Sequence, residues 1–355
     1  MRIGILGCGI AGMSAALFLQ RGGFRPEIFE TMDSVSDFSP RGELLLPVYT
    51  KPISDIPRHA RNTFNLDIIC QAPIRRIIWH ASNAHAQAVG KLGHITLRGQ
   101  SSNSLDRQIQ KHLDCKIHFG VTESVHSLKP RYDFVIDASG QSAPGVKKRR
   151  AFLFKGGTIR GRFQPETVHM WHTAAATPGG FAYLIPISAR KASVFIVLPL
   201  APEVSGRKYW LRFWKLLVRD LGYEPDFVDS QEFRKYHAQA LPSFQPGVLP
   251  VGSSLGTATP FLGMDQFKAI STSFYAAKAV SGQPGYWQEM KVLNGHLKRM
   301  QVIGKAMDTW GDLAYDSLVR AMAVGATPFF ACRLNLLAAT SFLLKPYVAI
   351  AQRVL

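Results

Sequence analysis

An α/β fold with a parallel sheet is predicted by three stretches of this chain: GCGIAG at 7–12 with Glu30 beyond it, DFVIDASG at 133–140, and LPVGSSLGTATPFLGMDQFKA from Leu249. The first stretch sets the class. Arg2 to Leu6 is an apolar run of strand length, Gly7-Cys8-Gly9-Ile10-Ala11-Gly12 follows at once, and Met13 to Gln20 continues as an amphipathic helix. This is the strand, turn and helix context that G-x-G-x-x-G requires. Gly7 permits the tight turn, Gly9 lets the backbone approach a pyrophosphate, and Gly12 lets the helix pack closely on the strand. Phosphates are favoured at the helix N-terminus, where N–H groups are unpaired and the dipole is positive. Glu30 ends a second strand, Glu27 to Phe29, where an acid accepts hydrogen bonds from a ribose. The pattern reads as a Rossmann-like dinucleotide site and leaves open whether FAD or NAD fills it.

Composition narrows the class further. The 355 residues suffice for two domains or for one large α/β domain with an inserted sheet. An apolar content of 46% fits a well-buried core. Cys8, Cys70, Cys115 and Cys332 are far apart and form no C-x-x-C pair, which argues for a reducing compartment and against a zinc site or disulfide frame. Cys8 reads as a small side chain in the glycine turn rather than a redox thiol. Met1 and Arg2 lead straight into the first strand without a signal peptide, so a cytoplasmic location is expected. Lys and Arg number 42 against 24 acids, a net charge of +18 that favours anionic partners. The densest run, Lys147 to Arg150, reads as a solvated loop with no nucleic-acid motif around it. No nucleic-acid partner is expected, and an anionic membrane surface is the better use of the charge.

Along the middle of the chain, Arg75 to His80, Ala86 to Gly90 and His94 to Leu97 read as short strands. Ser104 to Leu113 reads as a helix with a serine cap. Lys116 to Phe119 and Ser124 to Leu128 read as two further strands, and Tyr132 to Gly140 as a β-rich run ending in a small-residue turn. From Ala151 to Leu200 the chain alternates and is rich in aromatics, which predicts a sheet rather than more βαβ units. A helix follows from Lys208 to Leu221, with Trp210, Leu211, Trp214, Leu217 and Leu221 on one side. The glycine-proline clusters at Ala143 to Gly145 and Phe244 to Gly247 mark crossings between two layers. His169 and His172 point to opposite faces of a strand, so no metal pair is expected there. The residues after Leu313 are apolar but broken by Arg320, Arg333 and Lys345, and no stretch reaches the roughly 18 residues of a membrane span. They read as a helical cap, with peripheral contact at the inner face of a membrane as the alternative.

The third stretch predicts an entry strand, a small-residue turn, and a long helix starting near Met264 or Asp265. A second helix start beside a glycine turn is a further anion or polar-ring site. A flavoprotein needs such an element late in the chain, because ribityl chain and ring extend away from the pyrophosphate. In order and spacing the three stretches resemble the FAD-dependent oxidoreductase superfamily of geranylgeranyl reductases, aromatic-ring hydroxylases and flavin-dependent halogenases. About a third of the chain carries the likeness.

That resemblance implies a Rossmann-like FAD-binding domain of glutathione reductase type, a mainly antiparallel substrate sheet and C-terminal helices. The FAD-binding domain would be discontinuous over 1–60, 95–145 and 245–285, the substrate domain would take 61–94 and 146–244, and the helical cap 286–355. Gly7, Gly9, Ile10, Ala11 and Gly12 would meet the pyrophosphate, Glu30 the adenosine ribose, and Val125, on its strand, the adenine. Arg98 stands where the superfamily often places a basic group near the flavin. Asp137, Ala138 and Gly140 match the second nucleotide motif, and Gly252, Ser253, Pro260, Gly263, Met264 and Asp265 the segment under ribityl chain and ring. One departure matters: relatives read Gly-Asp-Ala where this chain reads Gly252-Ser253-Ser254, so the carboxylate that would hold a ribityl hydroxyl is missing.

The branch is read from fewer residues. Phe181 to Pro186, FAYLIP, is a softened form of the halogenase W-x-W-x-I-P stretch without its tryptophans, and no lysine stands out as the halogenating group. The Asp-Ala-Ser-Gly turn and the C-terminal helices are closer to the reductases, which act on lipid-like isoprenoid chains. A hydrophobic small-molecule substrate is expected, with Trp171, Phe181 and Tyr183 as its wall or else as plain sheet core. No second G-x-G-x-x-G occurs, so NAD(P)H is expected only as a transient electron donor. Aromatic or polyketide hydroxylation is the alternative chemistry, and a non-redox or flavin-free binding protein the alternative class. No catalytic acid or base is named.

Overall fold

The computed structural model describes residues 1–47, 53–140, 149–201, 204–238, 241, 244–256, 266–317 and 319–320. Strand β1 (Ile3–Leu6) is buried at every position, which suits the centre of a sheet. It pairs in parallel with β2 (Glu27–Phe29) on one side and β7 (Phe134–Asp137) on the other. With β6 (Lys116–His118) and β13 (Val248–Pro250) these form a five-stranded sheet of order β13-β7-β1-β2-β6. The β1-to-β2 crossover is α1 (Ile10–Arg21), buried continuously from Ile10 to Leu19. Helix α1 lies between this sheet and α6 (Gln266–Val280), and the Ser273 hydroxyl of α6 donates to the Ala11 carbonyl at 2.8 Å. Helix α2 (Ile56–Phe64) is capped by Asp55, which accepts from the Arg58 N–H at 2.9 Å, and adds Phe64 to a cluster with Phe18 and Phe274.

The second sheet has eight strands in the order β12-β8-β11-β10-β9-β4-β5-β3. These are β3 (Arg41–Leu45), β4 (Ala72–Ala81), β5 (His85–Arg98), β8 (Arg149–Arg160), β9 (Thr167–His172), β10 (Phe181–Pro186), β11 (Lys191–Pro199) and β12 (Asp226–Ala238). All pairs are antiparallel except β4 with β9. One face buries Phe154, Met170, Phe181, Tyr183 and Phe195. The other buries Trp171, Leu184, Val194 and Ile196 beneath α5 (Gly206–Leu221). Helix α5 is pinned through Asp220, which accepts from Trp171 Nε1 at 2.7 Å and lies 3.5 Å from His80 Nδ1. His80 in turn meets His169 across the sheet at 3.2 Å. Burial pushes His169 down to about 4 and lowers His80 as well, so both rings are neutral at physiological pH. Helix α7 (Tyr286–Trp310) packs on α6, with the Tyr286 hydroxyl donating to the Pro250 carbonyl at 2.8 Å. Among the described residues no helix is long and apolar enough to cross a membrane.

Several elements differ from the sequence expectation. Residues 124–128 are a capped turn, α4 (Val125–Leu128), rather than a strand: Ser124 accepts from the Ser127 N–H, and Ser127 Oγ accepts from the Ser124 N–H. The two short strands expected over 86–97 are one strand, β5, which runs through Gly90 and Gly93. Strands β3 and β12 and helix α2 were not foreseen at all. The buried side of α5 is Phe213 with Leu217, while Leu211 is 55% exposed. The helix expected from Ser104 is α3 (Leu105–Gln110), with Ser104 as its cap. His169 faces α5 beside Trp171, whereas His172 faces Phe181 and Tyr315.

Candidate functional site

The two sheets are bridged by a cavity of about 590 Å³ that starts at the β1–α1 turn. Gly7 sits at φ +91°, in the left-handed region that a Cβ disfavours. Its N–H donates to the Phe29 carbonyl at 2.7 Å, which ties the turn to β2. A Cβ on Gly12 would lie 1.9 Å from the Gly7 carbonyl oxygen, so helix and turn touch backbone to backbone. A Cβ on Gly9 would meet nothing within 4 Å, because Gly9 faces the cavity. Glu30 stands at the rim of β2, where its carboxylate accepts from the Cys8 N–H at 2.6 Å and the Met32 N–H at 3.0 Å. Burial, with the Glu30 charge beside it, pushes the Cys8 thiol up to about 12, so Cys8 is no redox thiolate.

Gly7, Gly9, Ile10, Ala11, Glu30, Val125, Asp137, Ala138, Gly140 and Ser253 all line this cavity, and so does Arg98. Gly12 and Gly252 stand behind it. Gly252, at φ +56°, would set a Cβ 2.7 Å from the Ala11 methyl and so lets the 252–255 turn close on α1. The Asp137 carboxylate accepts from the Ser139 N–H at 3.1 Å and from the Ser254 hydroxyl at 3.0 Å, while Ser254 Oγ accepts from the Gly140 N–H at 3.1 Å. This knits the second nucleotide motif to the third stretch. Val125 lines the cavity from the first turn of α4. Pro260, Gly263, Met264 and Asp265 lie outside the described residues.

Sequence reasoning missed the charged end. Arg41, Lys235 and Gln266 line the same cavity as Arg98, at the edge of the eight-stranded sheet. They surround Glu43, whose Oε2 accepts from Gln266 Nε2 at 2.8 Å and whose Oε1 lies 3.4 Å from Arg41 Nε and 3.6 Å from Arg98 Nη1. Burial raises the Glu43 carboxyl, but the Lys235, Arg98 and Arg41 cations outweigh it and hold the group down at about 2. Arg98 is fixed from behind by Asp106, which accepts from its Nε at 2.7 Å, from the Ser36 hydroxyl at 2.6 Å and from the Gly99 N–H at 3.1 Å. Arg41, Arg98 and Lys235 against the two carboxylates of Glu43 and Asp106 leave this end of the cavity with an excess of one positive charge.

The three aromatic candidates separate. Tyr183 lines a narrow recess next to this end, with Phe154, Met170, Phe233, Glu43 and Lys235, and Phe181 lies on the same face of the sheet. Trp171 does not join them. The antiparallel register sets Trp171 opposite Ala182 rather than Tyr183, which turns the indole to the other face, under α5. It stacks there on His80 at 4.8 Å between centroids. Among the described residues no group of three or more His, Cys, Asp or Glu is placed to hold a metal ion.

No family model and no curated protein matches the sequence. Solved structures do match in fold. A geranylgeranyl bacteriochlorophyll reductase-like protein from Thermoplasma acidophilum superposes with a TM-score of 0.70 at 15% identity, over 96% of this chain and 94% of that one. The flavin-dependent brominase Bmp2 gives 0.67 at 14% identity, over 100% of both chains. An HpxO variant from Klebsiella pneumoniae complexed with FAD gives 0.57 at 13% identity, over 94% and 95%. The superpositions show that this chain shares the fold of these proteins, among them a geranylgeranyl reductase-like protein, flavin-dependent halogenases and an FAD complex.

Proposed function

We propose that this protein is an FAD-dependent oxidoreductase acting on a hydrophobic small molecule, most like a double-bond reductase of the geranylgeranyl reductase type. The observation that carries the reading is the continuity of the cavity from the glycine turn and Glu30 to Arg41, Arg98 and Lys235 on the second sheet. A turn alone serves any dinucleotide. A cavity that runs on to cations of a second sheet suits one whose reactive ring extends well beyond the pyrophosphate.

When bound, FAD supplies the hydride chemistry, and the protein supplies placement and electrostatics. The residues present fit that task. Gly9 leaves room for phosphate against the first turn of α1, whose N–H groups and dipole favour the negative charge. The Glu30 carboxylate has acceptor capacity left for ribose hydroxyls. Ser253 offers a neutral hydroxyl in place of a carboxylate, which gives up about 1 kcal/mol of charge-assisted bonding. Arg41, Arg98 and Lys235 favour negative charge at the far end of the cavity, and preorganised cations act there without reorganisation. Phe154, Tyr183 and Phe233 pack closely beside this end, leaving only about 20 Å³ between them, and give it an apolar wall.

The test is the visible spectrum of the purified protein, before and after added FAD and then NADPH under anaerobic conditions. A flavin band that bleaches supports the reading, and a colourless protein that takes up no FAD overturns it. Product masses from isoprenoid alkenes incubated with NADPH in air then separate the chemistries: gain of two hydrogens marks the reductase, gain of an oxygen atom from O2 the hydroxylase.

A further inference from the structure

The outer face of α5 lies on the opposite side of the second sheet from Tyr183. The helix reads GRKYWLRFWKLLVRDL, with five cations and a single acid. That acid, Asp220, is turned inward to Trp171. Arg207, Lys208, Arg212, Lys215 and Arg219 are all exposed. Between them Leu211 is 55% exposed, although its neighbours Phe213 and Leu217 are buried.

The apolar part of this face is continuous with the start of β12. Phe227 and Val228 are 43% and 47% exposed at the bulge that opens that strand. The rings of Trp210, Trp214 and Phe227 touch in a triangle, with centroids 5.6 to 5.9 Å apart. Trp214 Nε1 donates to Glu224 at 3.0 Å, so its polar edge is satisfied at the rim. More cations gather at the same corner. Arg160 is paired across the strands with Lys191 and Asp226, and Arg162 donates its N–H to Tyr223 Oη at 2.8 Å. Arg160, Arg162, Arg190 and Lys191 are exposed, with Glu224 and Asp226 as the nearby exposed acids.

An exposed apolar strip flanked by cations, with tryptophans at its edge, has the chemistry of a surface that lies in the headgroup region of a bilayer. Nucleic acid would use the cations but not the aliphatic tips of Leu211 and Val228. It would also need ring faces free for bases, whereas these three rings are turned against one another. We propose that the outer face of α5, with the adjoining corner at 160–162 and 190–191, docks the protein on an anionic lipid surface. The docking stands independently of the flavin reading, although a hydrophobic substrate held in lipid would make the two work together.

The experiment is flotation of the full chain with vesicles of phosphatidylcholine alone and of phosphatidylcholine mixed with phosphatidylglycerol, at low and high salt. Binding to the mixed vesicles that weakens with salt is expected. Each cation near such a surface contributes about 1 kcal/mol, so the triple change Lys208→Gln, Arg212→Gln, Lys215→Gln weakens partitioning on the order of 100-fold. Leu211→Ser weakens it roughly tenfold, since insertion of an apolar side chain is lost. All four positions are exposed, and unchanged melting of the variants shows that the fold is intact. Lys111→Gln with Lys129→Gln, exposed residues on the five-stranded-sheet side, leaves partitioning unchanged. The proposal is overturned if wild type ignores the mixed vesicles or if the triple variant binds like wild type. It is equally overturned if Leu211→Ser has no effect while an RNA oligomer competes fully, which would mark a general polyanion surface.

Discussion

A methyl group at Gly9 and a methyl group at Gly12 have opposite consequences, although the two glycines stand three residues apart in one turn. Gly9 has φ −76° and ψ −177°, a conformation open to alanine, and its Cβ would meet nothing within 4 Å. As an N-cap, alanine is slightly worse than glycine, while the unfolded chain loses freedom. The two effects offset to within about 0.5 kcal/mol. Gly9→Ala is therefore expected to melt with wild type. The added methyl fills the space into which a pyrophosphate must settle, an overpacking of about 1–3 kcal/mol, so FAD binds roughly 5- to 100-fold more weakly. Gly12 is the reverse. Its Cβ falls 1.9 Å from the Gly7 oxygen, and backbone on both sides leaves no flexible group to give way. Gly12→Ala is expected to cost about 3 kcal/mol and to lower the melting temperature by roughly 5–10 °C even without cofactor. Circular dichroism melts of the apoproteins and quenching of FAD fluorescence on titration read the two effects separately. Gly9→Ala with wild-type FAD affinity, or Gly12→Ala with wild-type melting, would refute the reasoning.

Three further outcomes are expected. Asp106→Ala leaves the Arg98 guanidinium and the Gly99 N–H without their buried acceptor, so urea denaturation should show a loss of about 3–5 kcal/mol, and a loss below about 1 kcal/mol would mean the network is loose. Burial holds His169 at about 4 and His172 at about 3, below the 6.5 of an unfolded imidazole. Between those values the unfolded chain binds more protons, so stability is full above pH 6.5 and falls on acidification by up to about 1.4 kcal/mol per pH unit for each ring. A urea midpoint that is unchanged between neutral pH and pH about 5 would contradict this. Ser253→Asp restores a charged partner at the cavity wall and should tighten FAD roughly fivefold in equilibrium dialysis, with no gain counting against the role given to that position.

What the sequence could and could not reveal follows from range. The β1–α1 unit was legible because its glycines, helix and terminal acid obey spacings set within thirty residues. The Ser104 cap was legible for the same reason. Residues 124–128 were misread because SVHSL has the composition of a strand, and only the reciprocal bonds of Ser124 and Ser127 decide for a helical turn. Strand β12 escaped notice because the bulge at Phe227 to Asp229 breaks its alternation and leaves its first apolar residues outside. Trp171 was grouped with Tyr183 because parity between antiparallel strands is set by register, and a shift of one residue exchanges the faces. Arg41 and Lys235 carry no local signal at all. They meet Arg98 only because β3 and β12, at the two ends of the eight-stranded order, curl toward the same cavity.

The contact between Ala11 and the residues around Gly252 governs when this protein can first become a functional one. The Gly252 N–H donates to Thr272 Oγ1 at 3.0 Å, Ser273 reaches back to Ala11, and Tyr286 closes over Pro250. The wall of the cavity is thus shared between the opening dozen residues and a segment made more than two hundred residues later. A ribosome exposes the glycine turn early, yet β13 and α6 are needed to bury α1 and to finish the site. Until they emerge, the apolar helix α1 is uncovered and the cavity lacks a side. Cofactor loading therefore waits for residues 248–280, and until they emerge the nascent chain must shield the apolar surface of α1.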